Sequence, residues 1–439
     1  MLDFLPVNDL PYTLRCIDTR KGNNMSECPF ANIMAPTYLG DGFEGADVAK
    51  IRAAGPAVQI DDPSTGVPYW AITQHAAIDF VSKNNDLFSS RLRTAIPMEF
   101  DQEMVDDVQS RMFINLDPPD NIDYRKLIRD HFTPAAVATY EPRARMYARE
   151  VVDRMAGKTS CEFVTDVAAE LPLRMILDFF DIPQEDRHKI FGWTNTMLFG
   201  DDPDVSGGRE AADTASLELM LYAHELAGKY RNSDVKNVSS QLLNGVIDGE
   251  PVSDETFAWI FLMIIVAGNE STRTTITHSI RNLIENPEQY RYLQENPHKI
   301  EGAIFEMLRY NPPFICMRRT ATQDITVPEL DNAPIKKGDK IIMYYPGANR
   351  DPKVFDDPEA FDIHRADRQD LMRDIRSFGI GRHNCFGMNL AKMEMKVMLE
   401  EILGRMDNMQ FNGPVVYMKS NFVQGIKEMP ITFEMRESD

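Results

Sequence analysis

Residues 378–387 read FGIGRHNCFG and place Cys385 in a glycine-rich loop. The following residues 388–395, MNLAKMEM, have the composition of a helix. Backbone N–H groups and the dipole at a helix N-terminus favour an anion, so this position stabilises a thiolate. Gly379, Gly381 and Gly387 lack side chains, which lets a flat ligand lie close to the backbone. Because single cysteines near glycines are common, the loop alone does not distinguish a ligand from an ordinary cysteine.

The whole ten-residue string resembles the haem-binding signature of the cytochrome P450 family, Phe-Gly-x-Gly-x-His-x-Cys-x-Gly, at every fixed position. The resemblance implies that haem b is the cofactor and that Cys385 is the metal ligand. It also implies that His383 binds a haem propionate and that Phe378 shields the sulfur, with Gly379 and Gly387 at the cofactor. A thiolate ligand pushes electron density onto haem iron, which favours O–O cleavage.

A second motif lies upstream, where Glu306 and Arg309 match the family's Glu-x-x-Arg. Residues three apart lie on one face of a helix and can pair. By itself such a pair is usually a solvated surface contact. The resemblance implies a buried structural lock that a later loop arginine, Arg365, completes.

Residues 267–272 read AGNEST inside an apolar helix, where polar groups cost free energy unless they have partners or a role. A helix that emerges at the surface would explain them too. The segment resembles the family's oxygen-activating groove, which implies that Glu270 relays protons and that Ser271 holds the water or hydroperoxide. The family more often has Thr at this position, and Thr272 is an alternative donor of the working hydroxyl.

Two arginines are assigned to the haem propionates by the same resemblance. The pattern Arg-x-x-x-x-Asp ending at Asp324 selects Arg319 over Arg318, and Arg125 follows the family-like DPPDN at residues 117–121. Asn121 stands where many relatives have His. An amide still donates a hydrogen bond but carries no charge.

Most of the chain has helical patterns, with short strand patterns near its two ends. Apolar residues recur at helical spacing in segments 140–155, 211–230, 257–285 and 297–309. Ser253 is a cap before the third segment, and Asn286-Pro287 ends it. Strands are expected at 57–60, 69–72, 340–344, 415–418 and 429–433.

These patterns predict a mainly α fold with small β-sheets (α+β). One domain spans residues 1–439, of which 1–45 form an N-terminal extension. The resemblance implies a cytochrome P450-like fold, with haem between the long oxygen-activating helix and the helix of the cysteine loop.

The composition is that of an ordinary globular protein, with 43% hydrophobic and 26% charged residues. The net charge of −21 disfavours nucleic acid and anionic lipid as partners. The longest apolar run, residues 257–267, is about half the length that a spanning helix needs. Five scattered cysteines without a CxxC pair fit reduced thiols. We therefore expect a cytoplasmic protein without a membrane anchor.

A local basic patch lies around the cysteine loop, although the chain is acidic. Between residues 365 and 396, seven basic residues (Arg365, Arg368, Arg373, Arg376, Arg382, Lys392 and Lys396) face four acidic ones (Asp367, Asp370, Asp374 and Glu394), which leaves +3. We interpret it as a docking surface for an acidic electron donor, a ferredoxin that is served by its reductase. A mixed charged surface is the alternative.

The sequence thus predicts a monooxygenase that uses O2 and hydroxylates a small hydrophobic substrate of terpenoid, steroid or fatty type. By resemblance, residues 90–113, the helix before Glu270, residues 314–317 and residues 421–423 line the pocket. A peroxide-driven peroxygenase and a non-catalytic haem sensor are the alternatives. Peroxide-driven members tend to replace the acid–alcohol pair, which Glu270-Ser271 retains, and no signalling domain supports a sensor.

Overall fold

Helices and short sheets make up the protein, as seen in a computed structural model that describes residues 16–17, 32–35, 38, 45–62, 65–199, 202, 207–235, 237–247 and 249–436. The expected N-terminal extension, residues 1–45, lies almost entirely outside these residues. Helices dominate the described chain, which confirms the mainly α class.

The helices include all four segments that the apolar spacing predicted, now α5, α8, α10 and α12. In chain order the described helices are α1 (Gly45–Ala54), α2 (His75–Lys83), α3 (Gln102–Asp107), α4 (Asp120–Arg129), α5 (Pro134–Asp153), α6 (Glu170–Phe180), α7 (Arg187–Leu198), α8 (Arg209–Tyr230), α9 (Val238–Leu243), α10 (Asp254–Glu285), α11 (Pro287–Glu295), α12 (Ile300–Tyr310), α13 (Tyr345–Ala348), α14 (Leu371–Asp374) and α15 (Met388–Arg405). No helix among them is long and apolar enough to cross a membrane.

The strands join in sheets that connect distant parts of the chain. They are β1 (Cys16–Ile17), β2 (Val58–Ile60), β3 (Tyr69–Ile72), β4 (Phe88–Ser89), β5 (Ser160–Glu162), β6 (Val246–Ile247), β7 (Glu250–Pro251), β8 (Cys316–Ala321), β9 (Lys340–Tyr344), β10 (Met406–Phe411), β11 (Val416–Tyr417), β12 (Ile426–Glu428) and β13 (Pro430–Met435). The largest sheet has the order β1-β2-β3-β9-β8-β4.

The strands near the two ends of the chain do not all form separate sheets. β3 pairs with β9 in parallel, with Tyr69 opposite Lys340, so early and late strands share one sheet. Both strands are fully buried, as is usual for parallel pairs. The other pairs of this sheet are antiparallel.

Helix α10 is the longest element, at 32 residues, and it packs against α6, α8, α12 and α15. The hydroxyl of Ser253 accepts a hydrogen bond from the N–H of Thr256, and two acids follow in the first turn. Both features stabilise a helix N-terminus. Pro287 cannot continue the helix. The predicted cap and end of this helix are therefore confirmed, and α10 lies in the core beside α15, which follows the cysteine loop.

Candidate active site

Glycine backbone conformations shape the loop that holds Cys385. The N–H of Cys385 donates to the carbonyl of Phe378 at 2.7 Å. Gly379 and Gly381 have φ angles of +66° and +76°, which L side chains rarely adopt. A Cβ on Gly381 would also lie 2.8 Å from the carbonyl oxygen of Ser82. The loop therefore requires glycine at these two positions, and it brings Phe378 to the same cavity wall as the cysteine.

The thiol of Cys385 opens into an internal cavity of about 210 Å³, so its exposed surface faces the protein interior. Burial raises the pKa of this thiol, while the N–H groups of Gly387 and Met388 and the guanidinium of Arg125 lower it. The anion-stabilising donors that the sequence predicted are thus present, but burial outweighs them. A metal cation at the sulfur would deprotonate the thiol.

The same cavity is bounded by α10 and by apolar side chains. Its apolar wall includes Ala95, Phe113, Ile114, Ile176, Met263, Ile264, Ala267, Pro313, Phe314 and Met317. Residues 421–423, which were expected in this wall, are not among its lining residues. Phe422 instead packs against the ring of Phe314 at a centroid distance of 4.9 Å, one layer further out. The wall suits an apolar ligand.

Two neighbouring hydroxyls of α10 reach the cavity. Ser271 and Thr272 both line it. The Oγ of Ser271 donates to the carbonyl of Ala267 at 2.8 Å, and the Oγ1 of Thr275 donates to the carbonyl of Ser271 at 2.8 Å. Such bonds to the preceding turn compete with the helical ladder and often bend a helix.

Glu270 does not line this cavity. A residue that relays protons at the cavity wall would have to do so. The carboxylate of Glu270 pairs with Arg273 at 2.5 Å and accepts from the hydroxyl of Thr274 at 3.1 Å, with only 2% of the residue exposed. Burial raises the pKa of Glu270, while the charge of Arg273 lowers it. Arg273 also donates to Asn195 of α7 at 3.3 Å. Neighbouring helix positions differ by about 100°, which is why Ser271 reaches the cavity and Glu270 does not.

Arg125, Arg319 and His383 lie near one another in the cavity lining, because both guanidinium charges act on the imidazole, and Asn121 lines the cavity one turn before Arg125 on α4. We call these four residues the polar end of the cavity. Arg125 donates to the carbonyl of Asn384 at 2.8 Å. His383 Nε2 lies 3.3 Å from Ser90 Oγ. Burial and the two nearby guanidinium groups lower the pKa of His383 to about 3, so its imidazole is neutral at pH 7. The positive charge at this end therefore comes from the two arginines.

Haem fits this arrangement of groups. The buried Nε of Arg319 has no hydrogen-bond partner, although unpaired buried donors are costly. A carboxylate at this end of the cavity would accept from it, and two arginines match the two propionates of a haem. Cys385 supplies a sulfur ligand in the same cavity. A Cβ on Gly387 would meet nothing closer than 4.0 Å, so backbone sterics alone do not explain that glycine.

The three residues of the expected lock meet in the core. Glu306 binds Arg309 through two hydrogen bonds of 2.7 and 2.8 Å and Arg365 through one of 3.1 Å. Both guanidinium groups also donate to main-chain carbonyls within residues 349–360. One carboxylate thus ties α12 to the segment that leads to the cysteine loop.

The basic patch is smaller than the sequence count indicated. Arg365 is buried in the lock, and Arg376 is buried against Asp79. Arg368 and Arg373 are exposed but pair with Asp362 and Asp374. Arg382 is an exposed residue of the cysteine loop itself, and it makes no ion pair with any described residue.

Two titratable residues of the cavity wall were not predicted as site residues. Glu394 on α15 is 3% exposed, and burial raises its pKa well above the ordinary value. A carboxyl on the apolar face that also bears Leu390, Ala391 and Met395 is the signal that could have identified it. Tyr345, at the start of α13, also lines the wall, and burial raises its pKa to about 12. No local sequence pattern marks this tyrosine.

Comparisons with known proteins agree with this geometry. The sequence profile of the family described as Cytochrome P450 matches residues 221–411. A steroid C26-monooxygenase of Mycolicibacterium smegmatis is 34% identical over 396 residues, which cover 88% of this chain and 90% of that protein. A linalool 8-monooxygenase of Pseudomonas putida is 30% identical, covering 87% and 94%. The solved structure of a Mycobacterium marinum cytochrome P450 with pseudoionone is 29% identical, with a TM-score of 0.82 over 93% of this chain and 100% of the other.

Proposed function

The chain belongs to the cytochrome P450 family, and on that premise we propose that it inserts oxygen from O2 into a terpenoid, steroid or fatty substrate, using haem b and electrons from a ferredoxin. Members of the family are haem-thiolate enzymes, and this chain is a monooxygenase of hydrophobic compounds. The observation that carries the proposal is the position of Cys385. It shares one apolar cavity with Ser271, and two arginines lie at the polar end.

In this proposal Cys385 would bind the iron, and Arg125 and Arg319 would bind the propionates. His383 and Asn121 add uncharged polar contacts at the same end. When bound, thiolate-ligated haem supplies the activation of O2 that leads to C–H hydroxylation. The Cys385 loop fixes the ligand through its glycine conformations, and Phe378 limits access to the sulfur.

We assign to the hydroxyl of Ser271 the role of holding a proton donor, such as a water molecule, beside the reaction centre. It lines the cavity and is oriented by the carbonyl of Ala267. Thr272 lines the same wall and stays the alternative. For Glu270 to supply protons, its carboxylate has to exchange the contact with Arg273 for one nearer the cavity.

The apolar wall supports a hydrophobic substrate, because removing such a molecule from water is favourable in proportion to the area buried. Named relatives act on a steroid and on linalool, and a structural neighbour was solved with pseudoionone. A terpenoid, a steroid or a lipid with an aliphatic chain is therefore the first class to screen.

A ferredoxin donor is supported by Arg382, which is exposed within the cysteine loop and has no acidic partner in the described structure. Electrostatic steering by such a residue raises the association rate with an acidic partner. The cytoplasmic location stays a prediction from the sequence.

The test is the optical spectrum of the reduced protein with carbon monoxide. We expect the strongly red-shifted Soret band of thiolate-ligated haem, and we expect Cys385→Ala to abolish it. Cys161→Ala, which removes another thiol that is not part of the cavity lining, is the matched control and should keep the band. A wild-type band of the imidazole type, or no haem after expression with a haem precursor, would overturn the proposal.

A further inference from the structure

Arg318, the neighbour of the propionate arginine, has a different environment. Successive residues of a strand face opposite sides of the sheet. Along β8, Met317 and Arg319 line the cavity, and Arg318 points away from it. The guanidinium of Arg318 is buried, with 3% exposed, and its NH1 donates to the carbonyl of Met98 at 2.8 Å and to the carboxylate of Glu99 at 2.9 Å. It therefore binds the segment that precedes α3.

A second buried cation holds the same carboxylate. Lys340 on β9 is 2% exposed, and its ammonium lies 2.9 Å from the same oxygen of Glu99. These two charges lower the pKa of Glu99, although burial opposes them. The main chain adds a contact, because the N–H of Arg318 donates to the carbonyl of Ala95 at 2.7 Å. We call Arg318, Lys340 and Glu99 the Glu99 clamp.

The two ends of the segment that the clamp holds, residues 94–115, are joined by the buried side-chain amide of Asn115. The side chain of Asn115 accepts from the N–H of Ala95 at 2.8 Å and donates to the carbonyl of Gln109 at 2.9 Å. Residues 94–115 thus form one unit with its ends joined. The unit supplies Ala95, Phe113 and Ile114 to the cavity wall.

We propose that Arg318 is a positioning residue for the substrate: through the Glu99 clamp it fixes residues 94–115, and with them the wall against which a bulky ligand packs. Burying ion pairs costs desolvation free energy and is a poor source of stability, but it can fix one arrangement. The clamp acts at the sheet side of the unit, whereas the exposed ion pair of Arg111 with Glu255 acts at the outer side. The inference rests on the proposed function, since the wall matters only if a ligand binds beside haem.

The experiment uses the haem-loaded full chain and the variant Arg318→Met, which keeps an aliphatic stem and leaves the pair of Glu99 and Lys340 intact. We expect amide hydrogen exchange within residues 94–115 to become about tenfold faster, as for a unit that opens more easily, while peptides of α15 are unchanged. Binding is probed with imidazole and 4-phenylimidazole by the Soret shift. The Kd of 4-phenylimidazole, whose phenyl ring adds bulk that the wall has to accommodate, should rise about tenfold, and that of imidazole should not change.

Arg111→Gln is the control, because it removes an exposed ion pair of the same unit, and such pairs contribute little. It should leave exchange and both affinities as in the wild type. If amide hydrogen exchange within residues 94–115 is as slow in Arg318→Met as in the wild type, the proposed role of the Glu99 clamp is refuted. Equal weakening of both probes would also overturn it, because Arg318 would then act on the haem. If Arg318→Met does not fold, Glu99→Gln repeats the test with the side-chain shape preserved. Wild-type protein without a haem band would refute the proposed function, while the exchange comparison would still decide the clamp.

Discussion

Ser271 and Thr272 present two hydroxyls to one cavity, and substitution can separate them. We expect Ser271→Ala to lower the rate of product formation by roughly 100-fold, the lower end of the range for a lost proton-transfer group. Thr272→Val, which keeps the shape and removes the other hydroxyl, should have a smaller effect. The measurement is coupled turnover with a substrate found by spin-state screening. If Thr272→Val lost more product formation than Ser271→Ala, Thr272 and not Ser271 would supply the working hydroxyl.

Glu394 gives a prediction about pH, because burial raises the pKa of its carboxyl and no charged partner lowers it. Such a group binds its proton more tightly in the folded state. Its stabilising contribution is therefore complete below the unfolded pKa of about 4.3 and is lost as the pH rises through the folded pKa. Glu394→Gln should reduce the fall in unfolding free energy between pH 5 and pH 8 by about 1 kcal/mol or more. Urea unfolding of both proteins at the two pH values checks this, and identical pH dependence would contradict it.

At the scale of elements, the cysteine loop depends on Gly381. Its positive φ angle and the nearby carbonyl of Ser82 leave no room for a side chain. We expect Gly381→Ala to destabilise the protein by roughly 1–3 kcal/mol and to lower the haem content after purification. Gly404→Ala is the matched control on α15, where a Cβ would meet nothing within 4 Å. Thermal unfolding and the haem-to-protein ratio report the result, and a Gly381→Ala protein as stable as the control would refute the prediction.

The secondary-structure elements also show which features of the protein could be predicted from local sequence patterns. The cysteine loop and α10 follow from local signals, glycines at fixed positions and an apolar period ended by Asn286-Pro287, so both were predicted correctly. The direction in which the Glu270 side chain points could not be predicted, because positions 270 and 271 differ only by a rotation of about 100° about the helix axis. The basic patch was overestimated since the partners of Arg376 and Arg368 come from residues outside the counted segment, Asp79 and Asp362. Contacts between distant residues, such as Tyr69 with Lys340, leave no local trace.

For the whole molecule, the charge around Arg382 makes donor docking testable. We expect Arg382→Glu to slow reduction by an acidic ferredoxin about tenfold at low ionic strength, and less at high salt, because screening weakens steering. Arg373→Glu should have a smaller effect, since Arg373 already pairs with Asp374. Stopped-flow reduction under carbon monoxide measures the rate, and dithionite reduction controls for intact haem. A rate that does not depend on salt or on Arg382 would refute this docking site.

The parallel pairing of β3 with β9 also means that β3 stays without this partner while the ribosome synthesises the residues between them. Lys340 follows Tyr69 by 271 residues (340 − 69). At about 5–20 residues per second, a ribosome needs roughly 14 to 54 s to deliver β9 after β3 has emerged. During that time one edge of the buried strand Tyr69–Ile72 has no partner, and unpaired apolar edges favour aggregation. The nascent chain therefore needs protection until β9 has emerged, and Cys385 follows β9 in the chain, so haem can first be captured only after that point.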